Sequence, residues 1–173
     1  KLAALAKREE YDQGATIWYD WPEGRGWRSV SRSHTLHVDG VAIAPSSDRL
    51  ATIDMSGDVC IWRMSDGAKL VEWRAHLTRG TGVEWSNDGR LLATAGLELP
   101  WARPTVKLFD AGSGEMLATY DTWDWISSLA FSPDSKRLAF SDGAEGYVRL
   151  VDTDSHEAVM ALRGPGGVGR ANV

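Results

Sequence analysis

The sequence has a single cysteine, Cys60, so no disulfide can form within it. A lone thiol suits a reducing, intracellular setting, and a cytoplasmic protein is expected. Only six prolines, three phenylalanines and four tyrosines are present, and no apolar run approaches the ~20 residues of a membrane-spanning helix. Cations are in the minority, 19 Lys and Arg against 24 Asp and Glu, for a net charge of −5. Without a basic footprint, neither nucleic acid nor a membrane is expected as a partner. The first of the 173 residues is Lys1 rather than methionine, and the expectation is a fragment of a longer protein.

Glycine (18) and tryptophan (nine) are abundant. Many glycines mean many turns, and many tryptophans mean a repeated core position or exposed aromatic surface. A repeat accounts for much of both. Segments beginning at Ile43, Trp85 and Phe131, 42 and then 46 residues apart, superpose. Each joins a strand to a turn rich in Pro, Asp, Asn, Ser or Gly, then opens a second strand on a basic residue and Leu (Arg49-Leu50, Arg90-Leu91, Arg137-Leu138). Val59-Cys60-Ile61-Trp62-Arg63, Val106-Lys107-Leu108-Phe109-Asp110 and Val148-Arg149-Leu150-Val151-Asp152 read as third strands with period-two alternation. Fourth strands follow at Lys69 to Arg74, Glu115 to Tyr120 and Ala158 to Arg163. Four short antiparallel strands per ~40–45 residues is the unit of a propeller blade, which must stack on neighbours to bury its faces.

The pattern Ser33-His34, Val41-Ala42-Ile43, Leu50-Ala51-Thr52 and Ile61-Trp62 resembles the WD-repeat signature. So does Ala75-His76, Val83 to Gly89, Leu92-Ala93-Thr94 and Leu108-Phe109-Asp110. The resemblance covers nearly the whole chain and implies a WD-repeat β-propeller: all-β, with blades of four antiparallel strands. It also implies a buried hydrogen-bonded tetrad of His, strand-b Ser/Thr, loop Asp and strand-c Trp. By match, the first repeat offers His34, Thr52 and Trp62, with Ser56 at the Asp position. The second offers His76 and Thr94, with Phe109 for Trp and Arg103 near the Asp position. The third has Thr122 for His and Phe140 for Ser/Thr. Such degenerate copies are expected to hold together more by apolar packing than by polar bonds.

The ends fit the same frame. Lys1 to Ala4 aligns with a strand b, although the helix formers from Leu2 to Glu10 leave a helix as the alternative. Strands c and d follow at Thr16 to Asp20 and Trp27 to Arg32, and Val168 to Val173 would open a further blade. The blades then divide as 1–33 (strands b, c and d), 34–75, 76–121, 122–164 and 165–173 (one strand). Three whole blades and a split fourth make an incomplete ring. Either further blades belong to the intact protein, or another chain, a second copy included, completes the ring.

Chemistry is thin. Gly164-Pro165-Gly166-Gly167-Val168-Gly169-Arg170-Ala171 has phosphate-loop spacing, but Arg170 and Ala171 replace the Lys and Ser/Thr, so it reads as a turn. His34 and His37 lack a third ligand nearby, and no serine sits in G-x-S-x-G. Asp110 and Asp152, after the strand-c core residue, suit turn formation rather than acid–base work. Neither catalytic residues nor a metal nor a cofactor is expected.

What remains is surface. In WD-repeat propellers the d–a and b–c loops form the face most often used for partners, and here they carry Trp101, Arg103, Trp123, Trp125, Arg79 and His37. The b–c loop of the second blade is five residues longer than in the first. Trp and Arg dominate interface hot spots. A non-catalytic scaffold binding a protein or peptide is therefore the leading expectation. The alternatives are a sensor propeller fused to a catalytic module, or a ligand- or carbohydrate-binding propeller. A sugar platform would repeat one aromatic at one slot, and that slot varies (His37, Arg79, Trp125). Trp62 and Trp85 belong to the core.

Overall fold

The computed structural model describes residues 2–5, 15–21, 24–30, 34, 36–99, 101, 103–142 and 146–163, the first three of these segments as backbone strands only. The described residues contain strands and turns and no helix. A first, three-stranded sheet holds β1 (Leu2–Leu5), β2 (Ala15–Trp21) and β3 (Gly24–Val30) in that order. Leu2 to Leu5 pair antiparallel with Tyr19 to Thr16, so sheet pairing overrides the local helix-forming residues there. β3 begins at Gly24, three residues before the expected Trp27, and Gly24 pairs with Trp21 of β2. The stretch 6–14, the Gly164 to Ala171 loop and the strand expected over 168–173 lie outside the described residues.

Three four-stranded meanders follow. The first is β4 (Val38–Ile43), β5 (Arg49–Asp54), β6 (Asp58–Arg63) and β7 (Lys69–Arg74). The second is β8 (Arg79–Trp85), β9 (Leu91–Glu98), β10 (Arg103–Asp110) and β11 (Met116–Asp121). The third is β12 (Leu129–Phe131), β13 (Arg137–Ser141), β14 (Tyr147–Asp152) and β15 (Ala158–Arg163). Chain order is spatial order within every sheet, and all pairs are antiparallel. The first strands of adjacent sheets meet, β4 against β8 and β8 against β12, so they surround a common axis with the fourth strands outside.

Apolar residues lie between sheets as well as within them. Ile53, Val59, Ile61 and Trp73 of the first meander pack with Val83, Trp85, Leu92 and Phe109 of the second. Ala93, Val106, Leu108 and Tyr120 of the second pack with Leu138, Phe140 and Val151 of the third. Each such side chain fully removed from water contributes about 1.5–3 kcal/mol, which no sheet could recover alone. Trp62 and Trp85 are buried, as their strand positions require.

Turn chemistry recurs with the sheets. Between third and fourth strands, the N–H groups of Gly67, Gly114 and His156 donate to the carbonyls of Arg63, Asp110 and Asp152. All three residues are left-handed, with φ of 74°, 76° and 61°. Glycine takes that conformation freely, whereas His156 carries a Cβ there. Asp110 Oδ1 accepts from the N–H of Gly112 (3.0 Å) and Ser113 (2.8 Å), and Asp152 Oδ1 from Asp154 (3.0 Å) and Ser155 (2.9 Å). These aspartates build turns.

Candidate interaction surface and the networks beneath it

Three equivalent positions, one per meander, tie the segment before each first strand to the second and third strands. In the first, Thr52 Oγ1 lies 2.6 Å from His34 Nε2 and accepts the indole N–H of Trp62 at 2.9 Å. His34 Nδ1 is 3.1 Å from Asp54 Oδ2, close but off the line of a good hydrogen bond. The acid is therefore Asp54, at the end of β5, and not the Ser56 position. Asp54 Oδ1 also accepts from the Ser56 hydroxyl (2.6 Å) and the N–H groups of Ser56 (2.9 Å) and Asp58 (3.0 Å). Thr52 and Asp54 are fully buried and His34 nearly so. This copy brings all four residue types together, with the His34–Asp54 contact the one that is not a hydrogen bond.

The second copy departs from it. His76 Nε2 lies 2.9 Å from Thr94 Oγ1, but Phe109 supplies no donor to the threonine. Gly96 stands where Asp54 stands in the first copy, and a Cβ added there would fall 2.3 Å from His76 Cγ. The acid comes instead from Glu98, two residues along β9, whose Oε1 is 3.1 Å from His76 Nδ1 and 2.7 Å from Lys107 Nζ. Lys107 also donates to the Ala75 carbonyl at 2.7 Å. Arg103, expected near the acid position, lies outside the network and pairs with Asp121. Burial, aided by the Lys107 charge and opposed by Glu98, pushes the His76 imidazole down to about 4, so it is neutral at pH 7.

In the third copy the histidine and Ser/Thr are gone, and Phe140 fills the core. Asp142 occupies the Asp54 position, and Arg149 occupies the Lys107 position. Arg149 Nη2 pairs with Asp142 Oδ2, and Nη1 donates to the Asp121 carbonyl at 3.1 Å, as Lys107 does one sheet earlier. Asp142 Oδ1 in turn accepts the Trp123 N–H at 3.1 Å. Thr122, in the histidine slot, has its hydroxyl 3.0 Å from the Pro104 carbonyl and 3.1 Å from that of Asp124. Sequence reading missed Asp54, Glu98, Lys107, Asp142 and Arg149. The repeat spacing that aligns Thr52 with Thr94 and Phe140 would have reached Asp54 and Asp142 had it been carried two residues further.

Over these networks stand the loop residues singled out in the sequence. Trp123 is 90% exposed, Trp101 83% and Trp125 56%. β10 and β11 pair through Thr105 and Asp121, and the Thr122 N–H extends the ladder to the Pro104 carbonyl at 3.0 Å. The Trp123 loop therefore leaves the sheet beside the start of β10. Arg103 Nη2 bonds Asp121 at 3.1 Å across the two strands. Arg79 bonds Asp39 Oδ2 through Nε (3.0 Å) and Nη2 (2.7 Å), joining the first two meanders. His37 is exposed, and its carbonyl accepts the Met55 N–H at 2.8 Å. Cys60 is buried; desolvation first and Glu72 second push its thiol up to about 12, the behaviour of an inert core residue. Among the described residues no cluster of three His, Cys, Asp or Glu could hold a metal ion, and no helix is long and apolar enough to cross a membrane.

Four-stranded antiparallel meanders, stacked face to face about one axis with their first strands innermost, are propeller blades, and here they form an unclosed ring. A family model, "WD domain, G-beta repeat", matches residues 114–152. The chain is 31% identical over 136 residues to eukaryotic translation initiation factor 3 subunit I of Candida albicans, covering 74% of this chain and 36% of that protein. The Nematostella vectensis subunit I is 29% identical over 116 residues, covering 64% and 35%. A crystal structure of the RRP9 WD40 repeats superposes with a TM-score of 0.70 at 18% identity, covering 96% of this chain and 45% of that one. The chain belongs to the WD-repeat β-propeller family. It spans about a third of the length of the curated relatives named here.

Proposed function

We propose that the chain is a non-catalytic scaffold whose loop face, centred on Trp101, Trp123 and Trp125, grips a partner protein or peptide. Arg103, Arg79 and His37 flank that surface. The observation that carries this reading is Trp123, the most exposed tryptophan of the described residues, whose backbone N–H is held by buried Asp142, itself paired with Arg149. An aromatic whose backbone is fixed before binding has less chain entropy to lose on capture, which suits an interface anchor. The similarity to a protein named as a subunit of a translation initiation factor favours a role in binding other proteins. Arg79 and Arg103 act as struts through their carboxylate partners and as rim contacts through their exposed edges.

The test is affinity capture from extract with the wild-type chain beside a Trp101→Ala/Trp123→Ala double variant. Both side chains are solvent-facing, so melting should shift by no more than the ±0.5 kcal/mol typical of surface changes. Proteins retained near stoichiometry by the wild type should be lost by the variant. Equal retention by both would count against the loop face as the docking surface.

A further inference from the structure

A cavity of about 260 Å³ opens between β8 and the segment leading into β12, on the side facing the propeller axis. Glu84 lies in its wall, with the hydroxyl-bearing residues Thr81, Ser127 and Ser128 and the apolar residues Ala95, Ile126 and Leu129. Glu84 is half-buried, and it has neither a hydrogen bond nor an ion pair among the described residues. It stands apart in this respect. Asp54, Glu98 and Asp142, the other carboxylates drawn into the fold, each face a cation or backbone N–H groups. Burial alone pushes the Glu84 carboxyl up, with no cation to offset it.

The Glu84 oxygens are not sealed from solvent, but partial burial raises the cost of their charge, and an incoming cation would lower it. The space lies below the ~300–1,000 Å³ of cavities that take a drug-sized molecule. It is the size for one long side chain, stem and head together. Hydroxyl oxygens beside a carboxylate offer several acceptors to a donor-rich group, and apolar walls fit the methylenes of a long cationic side chain. We propose that this cavity is a docking subsite for the cationic head of a lysine or arginine side chain of a partner polypeptide. Glu84 is its counter-ion, and Thr81, Ser127 and Ser128 are the surrounding acceptors. The proposal rests on the reading that the chain captures a polypeptide, but it uses residues separate from the tryptophan loops.

The test is titration of the isotope-labelled chain, followed by its amide NMR signals, with blocked lysine and blocked arginine (Nα-acetyl, N-methylamide). Blocked norleucine and blocked citrulline serve as neutral controls. Amides of Thr81 to Glu84 and Ser127 to Leu129 should shift and saturate at millimolar concentration with at least one of the two cations. The neutral controls should leave them in place. Glu84→Gln should weaken the response at least tenfold while signals elsewhere keep their wild-type positions, and the Trp101→Ala/Trp123→Ala variant should titrate as the wild type does. Silence with both cations, an equal response to the neutral analogues, or undiminished binding by Glu84→Gln overturns the subsite. In any of those cases, capture lost with the two tryptophans would still support the loop face.

Discussion

Replacing Thr52 by Val keeps the shape of a fully buried side chain and removes one oxygen, which serves two partners. Trp62 Nε1 donates to it at 2.9 Å, and His34 Nε2 lies 2.6 Å away. Both are buried and have no water to turn to, so each is left unsatisfied at about 1–3 kcal/mol. With partial relaxation the expected loss is about 2–4 kcal/mol. In a domain of this size that lowers the melting temperature by roughly 5–15 °C. The second copy supplies the control. Thr94 bonds His76 at 2.9 Å and has no indole partner, because Phe109 stands in the tryptophan position. Thr94→Val should therefore cost about half as much. Urea unfolding followed by circular dichroism measures both, and a cycle with Trp62→Phe isolates the indole contribution. In the Trp62→Phe background, Thr52→Val should cost no more than Thr94→Val does. Equal losses for the two threonines in the wild-type background, or no loss at Thr52, would refute the assignment of that hydroxyl as the shared partner of the indole and the imidazole.

His76 titrates near 4 when folded and near 6.5 when unfolded, so its contribution is complete above about pH 6.5 and fades as pH falls toward 4. The difference between wild-type and His76→Asn stability curves over that window should show a slope worth on the order of 3 kcal/mol in total; parallel curves would contradict it. Gly96→Ala places a methyl group against His76 and should destabilise by about 1–3 kcal/mol in thermal melts, an overpacking cost. His156→Gly relieves a left-handed turn and should add about 0.5–1 kcal/mol, read by the same melts, with a loss instead pointing to a contact of the imidazole. Cys60 should resist a thiol reagent in the native protein and react once urea unfolds it.

The all-β class, the meander order and the tryptophans that point inward were legible because sheet pairing writes a period of two and turns write Gly, Asp and Ser at fixed offsets. Leu2 to Leu5 show where that legibility thins, since the same residues suit a helix and only pairing with Thr16 to Tyr19 decides. The polar networks were half legible. His34, Thr52 and Trp62 could be placed from the family pattern, but the acid could not, since it comes from the end of strand b. In the second copy the acid moves from position 96 to Glu98, a shift that a fixed template misses because side-chain reach, not register, decides it. Lys107 and Arg149 were hidden for a related reason. A strand-c cation looks like an outward-facing residue until the carbonyls of Ala75 and Asp121 are seen to receive it.

Val59 and Val106 are wholly enclosed by the neighbouring sheet, while Val148, their counterpart on β14, remains 37% exposed, with Met160 and Leu162 open beside it. Among the described residues the third meander is thus sandwiched on one side only. Stability in a stacked array is passed from neighbour to neighbour, so it should decline along this chain from its interior outward. Amide protons of β14 and β15 should exchange with deuterium ahead of those of β6 and β10. The residues that fray soonest are then the ones that a docking sheet would stiffen most, giving this edge of the propeller a built-in reporter of whatever settles against it.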